Sequence, residues 1–294
     1  MVKSKLGWIG CGNMGRPIVT HLLKANHEVF INDVVKNNAK ELISNGAIWC
    51  ESPQIVANKA DYIFTMVPNG KILQIVNLGP SGLISGLSEG KIVIDMSTIS
   101  PSESSVVSKG IEEMKCEFLR SPVTGSTSLA EQAALGVFVS GQPEAFEKVL
   151  PFYQAFTNKQ YYLGQGEQSR ILKLAINIMV AVNMQMLAEA MVLIDKGGLD
   201  RAQALEIIAN SAAGSPVIQY KAANILKKEY PAAFSVEMME KDLDLALEVA
   251  KEYNIGVPVT AITRQFLAMA HSTGRKEKDF SVLVEFLEEL SCKC

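Results

Sequence analysis

Two kinds of feature are scarce in this chain of 294 residues, and each absence excludes a class of function. Positive charge is not in excess, because 28 Lys and Arg stand against 31 Asp and Glu, a formal net charge of −3. Nucleic acids and anionic membranes, which bind strongly basic surfaces, are therefore not expected partners. A long uncharged and mostly apolar run, 174–188, contains Asn177, Asn183 and Gln185. It is shorter than the roughly 20 apolar residues that cross a bilayer, so it predicts a buried helix and no membrane partner.

Cysteine is also scarce and irregularly spaced. The five cysteines lie at positions 11, 50, 116, 292 and 294. An odd number without paired spacing is not a disulfide framework, and it fits a reducing compartment. Cys292 and Cys294 have no neighbouring His or Cys with which to hold a metal, so no metal site is predicted. The chain also enters an apolar run directly, without the pattern of a secretory leader. We therefore expect a cytoplasmic protein.

The first half of the chain alternates short β-branched runs with helical segments. Strands are predicted at 6–9, 28–32, 47–50, 61–67, 91–96, 117–123, 137–140 and 160–163. This alternation is typical of a mostly parallel sheet with helices on both faces. The last three strands have less helix between them, so the far edge of the sheet is expected to be mixed.

The pattern changes after Gly166, where helical periods replace the strands. Helices are predicted at 172–195, 201–211, 216–229, 236–253, 258–272 and 280–291. The predicted fold is α/β, a Rossmann-type doubly wound sheet followed by an all-α C-terminal domain. The expected boundary is a helix entry, with a dinucleotide-binding domain at 1–164 and a helical substrate and dimerisation domain at 165–294.

Three glycines, Gly10, Gly12 and Gly15, stand between the first predicted strand and the first helix. In a dinucleotide site the first allows a tight turn, the second lets backbone approach a pyrophosphate, and the third lets helix and strand pack closely. The second strand ends at Asp33, close to the offset of about 20 residues expected for a ribose-binding acid. A turn that serves only packing, or a site for a methyl donor, is the alternative, but the strand–turn–helix context favours a dinucleotide.

Asp33 also bears on which dinucleotide binds. A carboxylate accepts hydrogen bonds from both ribose hydroxyls of NAD and repels the additional phosphate of NADP. No arginine follows Asp33, although Lys36 lies close enough in sequence to offer a phosphate a positive charge. The sequence therefore predicts NAD, with NADP possible.

Six segments in order resemble the β-hydroxyacid dehydrogenase family, which includes the 3-hydroxyisobutyrate dehydrogenases, the tartronate semialdehyde reductases and, more distantly, the 6-phosphogluconate dehydrogenases. The resemblance runs over essentially the whole chain. The segments are 7–17 with the glycines, 64–69, 95–101, 121–126, 173–177 and 239–243. Six ordered motifs at matching intervals are far more specific than any one of them.

The resemblance implies an NAD-dependent oxidoreductase that interconverts a small 3-hydroxy acid and its semialdehyde, with site residues at the matching positions. The implied cofactor-binding residues are Gly10, Gly12, Asn13, Met14, Gly15, Asp33, Val67, Pro68, Asn69, Thr98 and Lys241. The implied substrate-binding residues are Thr124, Gly125 and Ser126, joined by Lys173 and Asn177, which are also the implied catalytic residues. The family buries apolar surface of its helical domain by subunit pairing, so a homodimer or homotetramer is expected.

Lys173 has the chemistry that this reaction requires. The cofactor handles the hydride, so the protein must position the reactants and move a proton. Leu172 and Leu174 flank Lys173, and burial there would lower its pKa toward neutrality. Asn177 follows at i+4, on the same helix face, where it can hydrogen-bond the same substrate oxygen. The alternative is a lysine that only caps the entrance of a long helix.

Four positions depart from the family pattern. Ser126 and Leu129 replace glycines of the substrate loop, and Glu167 and Ser169 replace two glycines ahead of the lysine. They leave the identity of the hydroxy acid open and keep two alternatives in view. One is an oxidative decarboxylase like 6-phosphogluconate dehydrogenase, and the other is a catalytically impaired nucleotide-binding relative.

Overall fold

The computed structural model describes residues 3–292, with side chains as far as Ser291. Cys292 and Cys294, considered above as a metal-binding pair, lie outside the described side chains. The chain divides into two compact units, the first ending at Lys173 and the second beginning at Leu174. Each unit is described by itself below.

The first unit is built on a six-stranded sheet. Its strands are β1 (Lys5–Ile9), β2 (Glu28–Asn32), β3 (Ile48–Trp49), β4 (Tyr62–Thr65), β5 (Ile92–Asp95) and β6 (Glu117–Arg120). Their order is β3-β2-β1-β4-β5-β6, and every adjacent pair is parallel. The order reverses between β1 and β4, the position at which open α/β sheets bind ligands. The predicted doubly wound fold is confirmed.

The mixed pairing expected at the far edge lies in a separate sheet. The strands β7 (Val123–Thr124), β8 (Leu135–Val139) and β9 (Thr157–Tyr162) form it, with β7 antiparallel and β9 parallel to β8. The predicted strand 117–123 is therefore wrong as one strand, since it breaks at Ser121 and Pro122. Proline has no N–H for a ladder hydrogen bond, which favours the break.

Helices follow the strands of the first unit. They are α1 (Gly15–Lys24), α2 (Lys40–Ser44), α3 (Pro53–Lys59), α4 (Gly70–Leu78), α5 (Pro101–Glu113), α6 (Thr127–Glu131) and α7 (Pro143–Tyr153), with 3-10 turns at Lys36–Ala39 and Leu83–Ser85. Local sequence determines several starts: Ser52 and Asn69 cap α3 and α4, and Ser100 forms a capping box with Glu103 at α5. Trp8 of β1 is completely buried and stacks on Phe64 of β4 at 5.4 Å.

A long helix, α8 (Gln168–Lys196), begins in the first unit and continues into the second. Within residues 3–292 it alone is long and apolar enough to cross a membrane, which for one helix is weak evidence. Ala181, Met184 and Leu187 place it in the core of the second unit instead. The helix predicted to be buried is exposed on one face, because Met179 and Leu193 are 71% and 76% exposed.

The rest of the second unit is helical, as predicted. Its helices are α9 (Arg201–Asn210), α10 (Pro216–Lys227), α11 (Val236–Glu252), α12 (Pro258–Ala270) and α13 (Leu283–Cys292), with a π-type turn at His271–Arg275 and a 3-10 turn at Phe280–Val282. A buried ion pair crosses this unit, with Lys221 Nζ 2.6 Å from Asp279 Oδ2. The same carboxylate oxygen accepts hydrogen bonds from the N–H groups of Ala233 and Phe234. One buried acid thus joins α10 to the segments before α11 and α13.

Candidate active site

The glycine turn after β1 has the three local environments that a dinucleotide site requires. Gly10 has φ +100°, and a Cβ there would lie 2.1 Å from the carbonyl oxygen of Met66. A Cβ on Gly15 would lie 2.1 Å from the Gly10 carbonyl oxygen, whereas a Cβ on Gly12 would meet nothing within 4 Å. Gly10 and Gly15 are therefore required by the fold, and Gly12 is open for a ligand to approach.

The start of α1 fits a pyrophosphate. Met14 precedes the helix and makes no side-chain capping hydrogen bond. The first N–H groups of a helix have no partner within the helix and carry partial positive charge, so this end can bind an anion. Asn13 is exposed, and its side-chain oxygen accepts a hydrogen bond from Arg16 at 3.3 Å. Asn13 and Met14 thus lie at the predicted cofactor position.

Asp33 follows β2 with its carboxylate held in a fixed orientation. One oxygen accepts the Cys11 N–H at 2.7 Å, and the other accepts the Val35 N–H at 2.7 Å and the Asn38 side-chain N–H at 3.2 Å. Burial, together with the nearby Asp33 charge, raises the pKa of the Cys11 thiol to about 12. Cys11 therefore stays neutral and serves the turn through its backbone. Sequence reasoning missed Asn38, which no motif marks.

Lys36, whose positive charge could favour the additional phosphate of NADP, forms an ion pair with Glu51. Its ammonium lies 3.1 Å from Glu51 Oε1 and 5.0 Å from the centre of the Trp49 ring. The ion pair is exposed on both sides and contributes little energy. It nevertheless pairs the Lys36 ammonium with a negative charge.

Two further predicted cofactor loops follow β4 and β5. The Val67 N–H donates to Ser97 Oγ at 2.9 Å, which joins the loops directly. Pro68 and Asn69 are exposed, and the Asn69 side chain accepts the Ile72 N–H at 3.0 Å as the cap of α4. Thr98, which follows Ser97 in the sequence, is half-buried. Because β1, β4 and β5 are parallel neighbours, the glycine turn and these loops lie at the same edge of the sheet.

The predicted substrate loop follows β7. Gly125 has φ +126°, a conformation that L side chains rarely adopt, and a Cβ there would lie 2.7 Å from Leu135 Cδ2. Thr124 beside it is half-buried. The Ser126 hydroxyl caps α6 by accepting the Leu129 N–H at 3.4 Å. The departure at Ser126 therefore has a local structural role, and the loop keeps the one glycine that its backbone requires.

The departures at Glu167 and Ser169 also have partners. Glu167 Oε1 accepts a hydrogen bond from Arg120 Nε at 2.7 Å. Ser169 is completely buried, and its hydroxyl donates to the Arg120 carbonyl at 3.0 Å while accepting from Ser140 Oγ at 2.7 Å. Side chains at these positions thus attach the start of α8 to β6 and to the residue after β8. The sequence alone gave no sign of Arg120 or Ser140.

Lys173 and Asn177 lie four residues apart on α8, the spacing that places two side chains on one helix face. Lys173 is half-buried and Asn177 is buried. In the second unit the Asn177 amide donates to Asp242 Oδ2, and Lys241 Nζ lies 2.8 Å from Asp242 Oδ1. Asp242 is 1% exposed, and it contacts both Asn177 and Lys241, two predicted site residues that belong to different sequence motifs.

This combination defines a class of protein. A doubly wound sheet carries an open glycine at its switch point, a helix start fit for phosphate and a fixed acid fit for ribose hydroxyls. A lysine and an amide share one face of the next long helix. These features fit a dinucleotide-dependent oxidoreductase.

Comparison with known proteins identifies the family. Residues 5–164 match the model of the NAD binding domain of 6-phosphogluconate dehydrogenase. Residues 164–287 match the model of the NAD-binding domain of NADP-dependent 3-hydroxyisobutyrate dehydrogenase. The chain belongs to the β-hydroxyacid dehydrogenase family, as its motifs predicted, and is an NAD(P)-dependent oxidoreductase of hydroxy acids and semialdehydes.

Two relatives match almost from end to end. The 2-(hydroxymethyl)glutarate dehydrogenase of Eubacterium barkeri is 33% identical over 288 residues, covering 98% of this chain and 96% of the relative. The 2-hydroxy-3-oxopropionate reductase of Escherichia coli K12 is 30% identical over 284 residues, covering 97% of each. A solved structure of the Mycobacterium tuberculosis 3-hydroxyisobutyrate dehydrogenase has a TM-score of 0.89 at 23% identity, covering 97% of this chain and 99% of that one, which shows the fold.

These matches favour the main prediction over the decarboxylase. The 6-phosphogluconate dehydrogenase model covers only the first half, and the end-to-end relatives are a hydroxyacid dehydrogenase and a semialdehyde reductase. The relatives cover α8 as well.

Proposed function

We propose that this protein catalyses reversible, NAD-dependent hydride transfer between a small 3-hydroxy acid and its semialdehyde, with Lys173 as general acid and base. The observation that supports it most is the placement of Lys173 and Asn177 on one face of α8, the helix that follows the cofactor-binding strands. The roles of the individual site residues, and a division into a dinucleotide-binding domain at 1–164 and a helical domain at 165–294, are part of this proposal.

The chemistry is divided between cofactor and chain. When bound, NAD accepts a hydride at C4 of its nicotinamide, or NADH returns it. Lys173 takes the hydroxyl proton during oxidation and returns it to the carbonyl oxygen during reduction. The Asn177 amide nitrogen has two hydrogens. One goes to Asp242, and the other would donate to the reacting oxygen. Asp242 thereby orients Asn177.

The acid group of the substrate is assigned to the loop after β7. The Thr124 hydroxyl and the N–H groups of Gly125 and Ser126 would donate to it. The fixed φ of Gly125 and the capping hydrogen bond of Ser126 keep that backbone in one conformation. The two relatives reported above are named for small carboxylic acids: one is a 2-(hydroxymethyl)glutarate dehydrogenase, and the other is a 2-hydroxy-3-oxopropionate reductase. Thr98 and Lys241 are proposed as cofactor contacts.

A substrate panel tests this function. We would follow NADH absorbance with 3-hydroxypropionate, hydroxyisobutyrate, glycerate, 2-(hydroxymethyl)glutarate, a sulfonate analogue and an uncharged alcohol. At least one acid should turn over, and the alcohol should lose about 1.5–3 kcal/mol of transition-state binding, the value of a hydrogen bond to a charged group. An alcohol as efficient as the acids would refute the anion loop. Cofactor binding without any turnover would favour the impaired relative.

NAD is proposed as the preferred cofactor. The Asp33 carboxylate is held by Cys11 and Val35, and Lys36 faces Glu51, so an additional phosphate meets negative charge. NADH should therefore bind more tightly than NADPH in fluorescence titrations. Asp33→Ala should narrow the difference, and Lys36→Ala should leave it nearly unchanged. Tighter binding of NADPH by the unaltered protein would overturn the proposal.

A homodimer or homotetramer in the cytoplasm completes the proposed function. Large apolar side chains are exposed along several helices of the second unit, including Met179, Met186, Leu193, Ile207, Val259 and Ile262. Exposed apolar side chains in this number support burial of part of this surface between subunits. Light scattering coupled to gel filtration measures the mass directly. A monomer at micromolar concentration would contradict the assembly without affecting the chemistry.

A further inference from the structure

Arg170, in the first turn of α8, is 1% exposed, and three groups of the first unit hold its guanidinium. It donates to Asp95 Oδ2 at 2.6 Å, to the Ser97 carbonyl at 2.5 Å and to Ser104 Oγ at 3.3 Å. A planar guanidinium with several partners is fixed in both position and plane. The start of α8 is therefore bonded to the end of β5 and to α5.

From Asp95 the hydrogen bonds continue to the predicted cofactor loop. Asp95 Oδ1 accepts from Thr65 Oγ1 and from Ser97 Oγ, each at 2.7 Å. Ser97 Oγ in turn accepts the Val67 N–H at 2.9 Å. Arg170 is thus linked through two side chains to the backbone of the loop after β4.

A second, partly buried pair adjoins Arg170. Glu167 Oε2 is 3.9 Å from Arg170 Nε, and the other Glu167 oxygen accepts from Arg120. The charges alternate in sign from Arg120 through Glu167 and Arg170 to Asp95. Buried ion pairs cost desolvation energy and are weak evidence for stability, so a role in fixing geometry explains this arrangement better.

We propose that Arg170 is a positioning residue: it holds the first turn of α8, and with it Lys173, in register with the strand ends that carry Ser97 and Val67. Lys173 follows Arg170 by three residues, within one helical turn. A general base must lie within hydrogen-bond reach of its proton, and a displacement of about 1 Å can cost about 100-fold in rate. The inference rests on the proposed function, because it requires Lys173 to move the proton.

Arg170→Lys is the main test. Lysine keeps the charge beside Asp95 but cannot reproduce the planar fork that also reaches Ser97 and Ser104. We expect kcat to fall roughly 10- to 100-fold, with an NADH dissociation constant close to that of the unaltered protein. The acid limb of the pH profile of kcat/KM should also move, because the surroundings of Lys173 change. A merely structural role would lower the melting temperature without moving that limb.

Two companion variants make the test specific. The double variant R170M/D95N removes both charges of the Arg170–Asp95 pair together, and Glu167 keeps its partner Arg120, so the variant should show the same kinetic loss. Arg201→Lys makes the same exchange at an arginine paired with Asp195 and Glu288 in the second unit. That control should leave kcat and the pH profile unchanged.

The outcomes separate this inference from the proposed function. Unchanged kcat and pH profile in folded Arg170→Lys, with activity lost in Lys173→Ala, would overturn the positioning role alone. Full activity in Lys173→Ala would overturn both. A lower melting temperature with unchanged kcat in R170M/D95N would also overturn the inference, because it would assign the network to stability.

Discussion

The two units fix their polar groups in different ways. In the first, the predicted cofactor residues lie on backbone turns at the ends of adjacent parallel strands, and the turn after β1 depends on glycines that admit no side chain. In the second, the notable polar groups are buried side chains paired over long sequence distances, such as Lys221 with Asp279 and Asn177 with Asp242. Backbone geometry therefore shapes the glycine turn of the first unit, where buried side-chain pairs lie at the start of α8, whereas such pairs are the main polar feature of the second unit.

The difference implies different sensitivities to substitution. In the first unit, adding a single methyl group at Gly15 collides with a carbonyl, while charge changes at exposed positions matter little. In the second unit, removing one member of a buried pair leaves an uncompensated charge. Four sets of substitutions test this comparison, in order of expected effect.

Lys173, the last residue of the first unit, should give the largest effect. Lys173→Ala removes the proposed proton carrier, and kcat should fall by roughly 10²–10⁴, the usual scale of general acid–base catalysis. NADH affinity and the melting temperature should stay near normal. Asn177→Ala should cost less, since it removes a positioning hydrogen bond and leaves the lysine. A Lys173→Ala enzyme with a third of the normal activity would assign the lysine to helix capping.

Asp279→Ala should strongly destabilise the second unit. It leaves Lys221, which is 3% exposed, without its carboxylate, and removing one partner of a buried ion pair costs about 3–5 kcal/mol. Lys221→Met should cost less, because Asp279 keeps the N–H groups of Ala233 and Phe234. Urea unfolding would measure both, with Glu51→Ala as the exposed control in the first unit. Equal losses in all three would remove the contrast between the units.

Gly15→Ala and Gly12→Ala form a matched pair in the first unit. The methyl group at Gly15 would overlap the Gly10 carbonyl oxygen, and overpacking of this kind costs about 1–3 kcal/mol. Gly12→Ala meets no neighbour, so stability should change by less than about 0.5 kcal/mol. NADH affinity should nevertheless fall, because the new methyl group stands where the pyrophosphate approaches. If Gly12→Ala lowered stability as much as Gly15→Ala, the division of roles would be wrong.

The same contrast explains how much could be predicted from the sequence. The glycine turn with Gly10, Gly12 and Gly15, and the acid Asp33 after β2, could be located from the sequence because the roles proposed for them follow from short-range backbone geometry. The helices of the second unit were recognisable from apolar periodicity, which tertiary packing reinforces.

The contacts that organise the site could not be predicted in the same way. Arg120 with Glu167, and Asp95 with Arg170, are pairs of residues far apart in sequence that only the fold brings together. Asp242 lay next to a predicted site residue, but its partner Asn177 lies on another helix. The break at Ser121 and Pro122 was missed because apolar residues stand on both sides of it, Phe118 and Leu119 before it and Val123 after it. Proline within the predicted strand was the available signal.

The smallest change in stability is expected at His27, a buried titratable residue of the first unit that forms no ion pair among the residues that the structure describes. It is 6% exposed and packs edge-to-face on Phe152 at 5.2 Å. Its Nε2 has no hydrogen-bond partner among the residues that the structure describes. Burial lowers the pKa of His27 below its ordinary value of 6.5. The unfolded chain therefore binds more protons than the folded one as the pH falls below 6.5.

The contribution of His27 to stability is thus complete above the unfolded pKa and is lost as the pH falls through 6.5 toward the lower folded pKa. His27→Phe keeps an aromatic ring against Phe152 but cannot take a proton. Urea unfolding at pH 7.5 and pH 5 should therefore show a smaller loss of stability on acidification in His27→Phe than in the unaltered protein. The carboxylates that also titrate in this range are common to both proteins and cancel in the comparison. An equal loss in both would mean that the folded protein accommodates the charged imidazole, and that burial of this group in the first unit carries no cost on acidification.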